Sequence, residues 1–512
     1  MTPQMISAAL PLYPGLLLML AAITAMLPWH RARVAMSLVV PAGVAVAAFC
    51  LLGWTMANGP IGHNVGDFPG GISIPFVADP MSALMLAVAA TVVLMAAWYA
   101  EAVGENDSRF FSALMLMMLS GASGAFLTAD LFNFFVFMEV MLLPSYGLTA
   151  VSGTWRRLAA GRSFILVNIL TSTTLLVGVG FLYGSVGSVN IALLAGMAAH
   201  GGAGAVALGI VVIALGVKAG LVPVHTWLPR TYPGTSSAVM GIFSAVHTKV
   251  AVYMLFRIYV VITDMNPSWS WGIIIVMVAS MLVGGFAGLG ERTMREILAY
   301  QMVNGMPFIL VVLAFTDGDA AAALAAGVFY AVHHMVTVAS LIMATGAVEE
   351  TYGTDALARL DGLASRDRFV AWVMAAMSLS IIGFPPFSGV FGKVAIVFTA
   401  ADAGDARSWV VIAAIIVASV GALLSMMRLW GGVFWGPPLE GVPESRRVAA
   451  RKVLPSAALA VVSVLMFVFA GAVATWTGAA ADALLDVPAY QAAALGPWDD
   501  VIGMSVLEGG AR

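Results

Sequence analysis

The chain has 512 residues, of which 61% are hydrophobic and 10% are charged, and its formal net charge is −3. Soluble globular domains carry about 25% charged residues, so this composition excludes an ordinary soluble fold. The single cysteine, Cys50, excludes an internal disulfide and the thiolate clusters of iron–sulfur centres, and we expect no cofactor.

Apolar stretches long enough to cross a membrane recur along most of the chain. A helix needs roughly 20 residues to span about 30 Å of hydrocarbon. The sequence therefore predicts an all-α integral membrane protein with about 14 transmembrane helices. The predicted spans are 8–28, 33–55, 79–103, 109–128, 130–152, 162–186, 206–228, 236–262, 272–290, 295–316, 320–346, 370–400, 409–435 and 453–476.

Basic residues divide unevenly between the two sides of these spans. Most of the 23 lysines and arginines fall in loops that follow odd-numbered spans, whereas Arg257, Arg407 and Arg512 fall on the opposite side. By the positive-inside rule, the loops after odd-numbered spans are cytoplasmic and both termini lie outside. Arg31 and Arg33 follow the first span, which favours a retained helix over a cleaved signal peptide.

Two carboxylates near helix ends and one near the bilayer centre invite different interpretations. Asp79 and Asp130 fall near outer helix ends, where solvated or capping side chains are expected. Glu139 lies roughly 13 Å into the fifth span among Phe and Met residues. Desolvation could leave it neutral and inert, or a lysine could stabilise its charge. Lys218 is the expected partner, and at about 10 Å the two charges would interact by roughly 1.7 kcal/mol.

Two predicted spans contain helix-breaking segments. The seventh reads Lys218-Ala-Gly-Leu-Val-Pro223, and the twelfth reads Gly383-Phe-Pro-Pro-Phe-Ser-Gly389 ahead of Lys393. Proline removes a backbone donor, so both spans should be broken helices. The breaks are five spans apart, which predicts two inverted five-helix repeats. The expected divisions are helices 1–3 over 1–108, repeats over 109–262 and 272–435, and the last helix and tail over 436–512.

Buried lysines and histidines continue from Glu139 along the chain. A neutral imidazole both donates and accepts, which suits a proton relay between lysines. The predicted relay comprises Glu139, Lys218, Lys249, His333, His334 and Lys393, with His247, Thr248 and His225 as possible accessory residues. The structural alternatives are that the lysines snorkel or bind freed helix-end carbonyls, and that the histidines join helices by hydrogen bonds.

Other chemistries lack their sequence signatures. The chain has no Gly-rich phosphate loop and no two-histidine metal helix, so neither ATP coupling nor a metal site is expected. His225 and Trp227, near the inner end of the seventh span, are expected mainly as interfacial anchors.

Six segments in order resemble one family of membrane proteins. They are Phe137-Met-Glu139, Gly216-Val-Lys218 with His225-Thr-Trp-Leu-Pro229, Thr248-Lys249-Val, Arg295-Glu-Ile-Leu-Ala-Tyr300, Tyr330-Ala-Val-His-His334, and Gly383-Phe-Pro-Pro with Gly392-Lys393. Together they resemble the antiporter-like subunits shared by Mrp-type cation/proton antiporters and respiratory complex I, over about residues 75 to 435.

The resemblance implies a fold and a set of roles. It implies fourteen helices with inverted repeats, a Glu139–Lys218 pair, a central lysine–histidine relay and Lys393 as the terminal site of the second repeat. It also implies other subunits of the complex, H+ and Na+ as partners. Two positions depart from the family pattern: Val338 stands where a lysine commonly follows the histidines, and Arg230 stands where an acidic residue is frequent.

Three functional hypotheses follow. The leading one is a subunit of a cell-membrane antiporter complex that moves protons, or exchanges protons for sodium. The second is a proton-pumping subunit of complex I or of a membrane-bound hydrogenase. The third is a scaffold subunit that transports nothing, in which case neutralising Glu139, Lys218 or Lys393 would leave activity intact.

Overall fold

The computed structural model describes residues 2–150, 155–199, 201–437, 439 and 441–496, and most of these residues are helical. The first seven helices are α1 (Pro3–Ala9), α2 (Leu12–Met26), α3 (His30–Asn58), α4 (Pro80–Val103), α5 (Phe111–Leu127), α6 (Leu131–Ala150) and α7 (Trp155–Val186). The next seven are α8 (Ala203–Ala219), α9 (Trp227–Thr231), α10 (Ser237–Ala245), α11 (His247–Arg257), α12 (Ser270–Ala287), α13 (Met294–Leu310) and α14 (Ala320–Tyr352). The last seven are α15 (Leu363–Arg366), α16 (Arg368–Ile382), α17 (Gly389–Asp402), α18 (Ala406–Val433), α19 (Ala450–Val468), α20 (Ala470–Leu485) and α21 (Val487–Leu495).

The described helices confirm the predicted all-α membrane class. Ten of the helical segments in this part of the chain are long and apolar enough to cross a membrane, and the pair α1 and α2, bent by 48°, would form an eleventh. Three shorter apolar helices, α5, α8 and α16, overlap predicted spans. The small departure from the helical class is an antiparallel hairpin of β1 (Ile61–Asn64) and β2 (Pro75–Ala78) in the connection between α3 and α4.

Both expected helix breaks are present. Helix α8 is followed by Gly220 in a left-handed conformation, with φ of 78°, and the chain is not helical again until α9 begins at Trp227. Trp227 Nε1 donates to Val217 O at 2.9 Å, which satisfies a carbonyl near the end of α8. The expectation of an interfacial Trp227 is therefore wrong, since its side chain is buried at the break. Helix α16 ends in the same way at Gly383, with φ of 100°.

The most deeply buried helices carry most of the relay candidates. Helix α14 packs against α10, α13, α16, α17, α19 and α20. Its apolar stretch is wholly buried, and so is that of Ser237–Ile262, which comprises α10, α11 and a π-helical turn. Helices such as α3 and α7 keep much of their apolar surface exposed, as expected for contact with lipid. Lys249, His333 and His334 are therefore shielded from lipid by the surrounding helices.

Both ends of the described chain pack on the hairpin. Ser7 Oγ of α1 donates to Gly62 O at 2.6 Å, and α21 contacts both strands. A Cβ on Gly62 would fall 1.7 Å from Ala493 O, so only glycine allows α21 to lie this close to β1. The first and last described helices therefore lie on the same face of the molecule.

Arg257 lies inside the bundle, paired with Asp79, which the sequence also places near an outer helix end. Its Nη2 atom is 2.5 Å from Asp79 Oδ2, and both side chains are 1% exposed. Asp79 also begins α4, because its Oδ1 accepts the backbone N–H of Ser82 at 2.8 Å. The capping prediction for Asp79 is confirmed, and the solvated alternative is wrong. The ring of Tyr490 on α21 covers the guanidinium at 4.5 Å.

Arg407 and Arg512 are the other two basic residues predicted to lie on the outer side of the membrane. Arg407 pairs with Asp317 and Asp405 near the surface, both at 2.6 Å. Arg512 lies outside the described residues.

We predict that Asp79→Asn lowers the melting temperature of the detergent-solubilised protein. The substitution leaves Arg257 charged and buried without its counter-ion, and breaking such a pair costs about 3–5 kcal/mol. The matched control is Asp486→Asn, at the exposed residue whose Oδ1 accepts the Ala489 N–H at the start of α21. Asparagine caps helices about as well as aspartate, so this control should melt close to the wild type. Equal melting temperatures for both variants would contradict the prediction.

Candidate functional site

The first cluster of the site surrounds Lys218 near the end of α8. Lys218 is 1% exposed, and its Nζ donates to the side-chain oxygen of Asn168 on α7. Glu139 on α6 is close enough to interact electrostatically with Lys218. Its buried Oε1 atom has no hydrogen-bond partner among the described residues, and so is available to a proton or a water molecule. The expected proximity of Glu139 and Lys218 is present, but Asn168 is the direct partner of the lysine.

His247 lies beyond Lys218, at the first residue of α11. One ring nitrogen, Nε2, is 2.7 Å from Ser145 Oγ of α6, and the other, Nδ1, is buried without a partner among the described residues. The ring is 4.4 Å from the ring of Phe243, measured between centroids, and it senses the charge of Lys218. His247 is thus held by a hydroxyl between the cluster of Lys218 and the next lysine of its own helix.

Lys249 joins the two halves of the chain at the centre of the bundle. Its Nζ is 2.9 Å from His334 Nδ1 on α14 and 3.3 Å from Thr248 Oγ1. Lys249, Thr248 and His334 are all 0% exposed. Gly305 on α13 provides the room for this contact, since a Cβ there would lie 1.9 Å from the His334 ring.

His333 and Lys393 form the site in the second half. His333 Nδ1 is 2.8 Å from Ser388 Oγ and 3.2 Å from Thr337 Oγ1. Lys393 on α17 donates to Ile382 O at 2.8 Å and to Ser419 Oγ at 2.9 Å. The two side chains interact electrostatically. Ile382 O is a carbonyl freed where α16 ends, so Lys393 makes the helix-end contact that was one structural alternative for it.

The predicted residues fall into two linked groups, and one residue stands outside both. Glu139, Lys218 and His247 are linked electrostatically, Lys249 and His334 by a hydrogen bond, and His333 to both His334 and Lys393 by charge. Lys249 does not snorkel. His225 stands apart, half-buried in the break after α8, with its Nδ1 unpartnered among the described residues. Val338 is a buried apolar residue of α14.

Sequence reasoning missed the neutral partners. Asn168 and Ser145 bind a charged or titratable side chain directly, yet a single polar residue in an apolar helix is commonly a packing contact. Asn168 lies on the span between those of Glu139 and Lys218, which is the signal that could have indicated it.

Sequence reasoning also missed a carboxylate in the turn between α4 and α5. Glu105 accepts a hydrogen bond from Ser236 Oγ at 2.8 Å and lies 3.8 Å from Arg157 Nη2. Burial raises the pKa of Glu105 to about 7, although the Ser236 hydroxyl and the Arg157 charge both lower it. Nearby, Arg295 pairs with Glu349 at 2.6 Å and with Asp355 at 3.4 Å. Burial therefore brings the pKa of Glu105, in the turn between α4 and α5, close to neutral pH.

Asp130 is a second titratable carboxylate between helices, at the start of α6. Its Oδ1 accepts the Asn133 N–H at 2.7 Å, so it caps this helix as expected. It is 9% exposed, and burial raises its pKa to about 6. The solvated alternative for Asp130 is therefore wrong.

Comparison with known proteins gives consistent matches over most of the chain. The family model described as NADH:quinone oxidoreductase/Mrp antiporter, TM, matches residues 128–423. The D subunit of the Na(+)/H(+) antiporter of Bacillus subtilis is 30% identical over 439 residues, which cover 84% of this chain and 88% of the relative. The D subunit of a probable K(+)/H(+) antiporter of Rhizobium meliloti is 30% identical over 464 residues, covering 83% and 84%. A chain in the structure of the Mrp complex from Dietzia sp. DQ12-45-1b has a TM-score of 0.91 and 37% identity, and covers 96% of this chain and 100% of its own.

We predict that Glu105→Gln flattens the pH dependence of stability between about pH 4.5 and 7. A carboxyl group whose pKa is raised in the folded state binds its proton more tightly there than in the unfolded chain. The contribution of Glu105 to the free energy of unfolding is therefore largest at low pH. It falls by at most about 3 kcal/mol as the pH rises through this window. Melting temperatures of wild type and variant, measured across the window, test this.

The variant should melt above the wild type at the alkaline end of the range. Glu101→Gln, a substitution of an exposed carboxylate at the end of α4, is the control and should keep the wild-type slope. Parallel curves for Glu105→Gln and wild type would show that Glu105 does not titrate in this range.

Proposed function

Because the chain belongs to the family of NADH:quinone oxidoreductase and Mrp antiporter membrane subunits, we propose that its buried charges conduct protons within a monovalent cation/proton antiporter. The chain is part of a transporter and not an enzyme, and it acts with the other subunits of an Mrp complex. Its relatives are named for either sodium or potassium, so the cation exchanged for protons is one of these.

The chain is similar to the D subunits among the members of this family. The resemblance implies a lysine in D subunits at the second-repeat terminal site, and this chain has Lys393 there. Both curated relatives are D subunits that the chain matches over more than four fifths of its length.

In the proposed arrangement, the chain crosses the cell membrane about 14 times. In it, α1 with α2, α8 with α9, α10 with α11, and α16 with α17 each make one broken or bent crossing. The inverted repeats would then comprise 109–262 and 272–435, after three helices within 1–108 and before the last helix and tail in 436–512. The common location of α1 and α21 at the hairpin supports an even number of crossings, with both termini outside.

The proposed proton path runs across the bundle from Glu139 to Lys393. Protonation of Glu139 removes the negative charge that stabilises the Lys218 ammonium, so Lys218 releases its proton toward His247 and Lys249. Lys249 passes the proton to His334, and His333 passes it toward Lys393. The observation that carries this proposal is the hydrogen bond of 2.9 Å between Lys249 and His334, which connects the two halves at a fully buried point.

A complex I-type pump would use the same side chains with redox energy, and a scaffold would not need them. The first is disfavoured because both curated relatives are antiporter subunits. The second is disfavoured by the burial of three of the four lysines, since an uncompensated charge at this depth costs at least about 2.5 kcal/mol. A subunit that only docks other subunits would gain nothing from charges buried in its interior.

We predict that Glu139→Gln abolishes cation-driven proton movement while the complex still assembles. A neutral amide has the shape of the carboxyl group but neither binds nor releases a proton. The test is dequenching of a pH-sensitive dye in inverted vesicles that hold the whole complex, on addition of Na+ or K+. The control is Glu101→Gln, which should exchange at the wild-type rate. Exchange by Glu139→Gln at the rate of the control would favour the scaffold.

We also predict that Lys249→Met reduces exchange to below roughly a tenth of the wild-type rate, because the apolar side chain removes the proton carrier and leaves His334 Nδ1 unpartnered. The fourth lysine of the chain, Lys452 at the start of α19, offers the matched control. Lys452→Met should assemble and exchange normally in the same vesicle assay. Normal exchange by Lys249→Met would exclude the central step of the path.

A further inference from the structure

A ring of hydroxyl groups contacts His333 at Nδ1. Ser388 and Thr337 both contact His333 Nδ1, at 2.8 and 3.2 Å. Ser463 of α19 is 2.9 Å from Ser388 and 2.9 Å from Ser380, and Ser380 is 3.3 Å from Thr337. The ring therefore closes through one imidazole nitrogen and four hydroxyl oxygens. All five side chains except that of Ser463 belong to α14, to α16 or to the break that follows it.

We infer that this ring, which we call the hydroxyl ring (Thr337, Ser380, Ser388 and Ser463), positions His333 and lets it take up and release a proton in a buried site. The inference rests on the proposed function, and it assigns a role to a helix outside the predicted repeats. The four hydroxyls are positioning residues. The proton itself is carried by His333.

A ring of hydroxyl groups suits this task because its hydrogen bonds can all reverse direction when Nδ1 gains a proton. When Nδ1 carries no proton, each hydroxyl can donate to the next group of the ring. Thr337 then donates to Ser380, Ser380 to Ser463, Ser463 to Ser388, and Ser388 to Nδ1. When Nδ1 carries a proton, it donates to Ser388, and every bond of the chain reverses, so donation ends at Thr337. A hydroxyl both donates and accepts, and rotates to suit, so each state makes the same four hydrogen bonds. An amide or a carboxylate at these positions could not reverse in this way.

The second nitrogen of His333 remains available for exchange. Nε2 is buried without a partner among the described residues. It faces Gly389 at the start of α17, where a Cβ would lie 3.1 Å from it, and Lys393 follows one helical turn later. His333 can thus gain a proton at one nitrogen and lose one at the other, with no net change in its own charge over the cycle.

The charges around His333 are few. The titratable groups that face it or its neighbour are Lys249, Tyr330, His334 and Lys393. The charged residues of α13, α16 and α19 lie in the first turns of these helices, away from the ring. The hydroxyl ring is therefore the polar contact through which protonation of His333 Nδ1 is accommodated.

The hydroxyl ring would compensate for a charged side chain that the sequence lacks at position 338. Val338 stands where the family resemblance implies a lysine, so α14 has no charged side chain at that turn. The residue before it is Thr337, a member of the ring. The second half of the proposed path would thus use uncharged groups at this turn.

The test compares two serines of the same helix. Ser463→Ala removes the middle of the ring, so a proton on Nδ1 leaves Ser388 without an acceptor and the protonated state is disfavoured. Ser456 lies seven residues earlier on α19, is equally buried, and exchanges hydrogen bonds with Ser340 of α14 at 2.7 and 2.8 Å. Ser456→Ala therefore removes a buried hydrogen bond of the same helix, to α14 and not to α16 or its break, without touching the ring.

We expect Ser463→Ala to exchange roughly tenfold more slowly than wild type in the vesicle assay. The alkaline limb of its pH profile should move to lower pH, and Ser463→Thr should restore both by replacing the hydroxyl. Ser456→Ala should keep the wild-type rate and profile. If Ser463→Ala matches Ser456→Ala, or slows without a change of profile, the positioning role is overturned.

Two further variants make the outcome decisive. If Ser463→Ala does not assemble into the complex, Ser388→Ala is judged by the same criteria, since it removes the direct partner of His333. Glu139→Gln in the same vesicles tests the proposed function separately. An inactive Glu139→Gln with a normal Ser463→Ala would overturn the ring alone, whereas an active Glu139→Gln would overturn the proposed path.

Discussion

The cost of burying charge governs this structure. Each buried lysine has a specific neutral partner: Asn168 for Lys218, Thr248 and His334 for Lys249, and a freed carbonyl with Ser419 for Lys393. None of these three has a carboxylate in hydrogen-bond contact within the described residues. Neutral partners stabilise an ammonium less than a carboxylate does, so the protonated and deprotonated lysines can remain close in free energy. A protein that only needed stability would pair them as it pairs Arg257 with Asp79.

This contrast separates two kinds of buried charge in one bundle. The Arg257–Asp79 pair is a direct contact of 2.5 Å that also begins a helix and lies under Tyr490, and it is built to stay charged. Glu139 acts on Lys218 without a direct contact, which allows the interaction to change when the carboxyl group binds a proton. The Arg257–Asp79 pair stabilises the fold, whereas the interaction of Glu139 with Lys218 permits the proposed function. The helix breaks serve the second kind, because they free the carbonyl that Lys393 uses.

Much of the fold and the charged part of the site could be predicted, because charge in an apolar stretch is rare and conspicuous. Glu139, Lys218, Lys249 and Lys393 were identified by depth alone, and both breaks by proline and glycine. The neutral partners could not be predicted, since serine and asparagine occur in membrane helices for packing as well. The burial of Arg257 could not be predicted, because a charged residue near the end of a span can face either solvent or the interior of the bundle. The hairpin was missed because its strands have only four residues each.

The contact of α21 with the hairpin also sets an order of events during synthesis. The strands β1 and β2 leave the ribosome early, after α3, whereas α21 is made after all the other described helices. Until it arrives, Gly62 has no helix against it and the guanidinium of Arg257 lacks the ring of Tyr490. This face is therefore the last to close during translation, and its closure requires that the intervening helices have already been inserted in the correct direction.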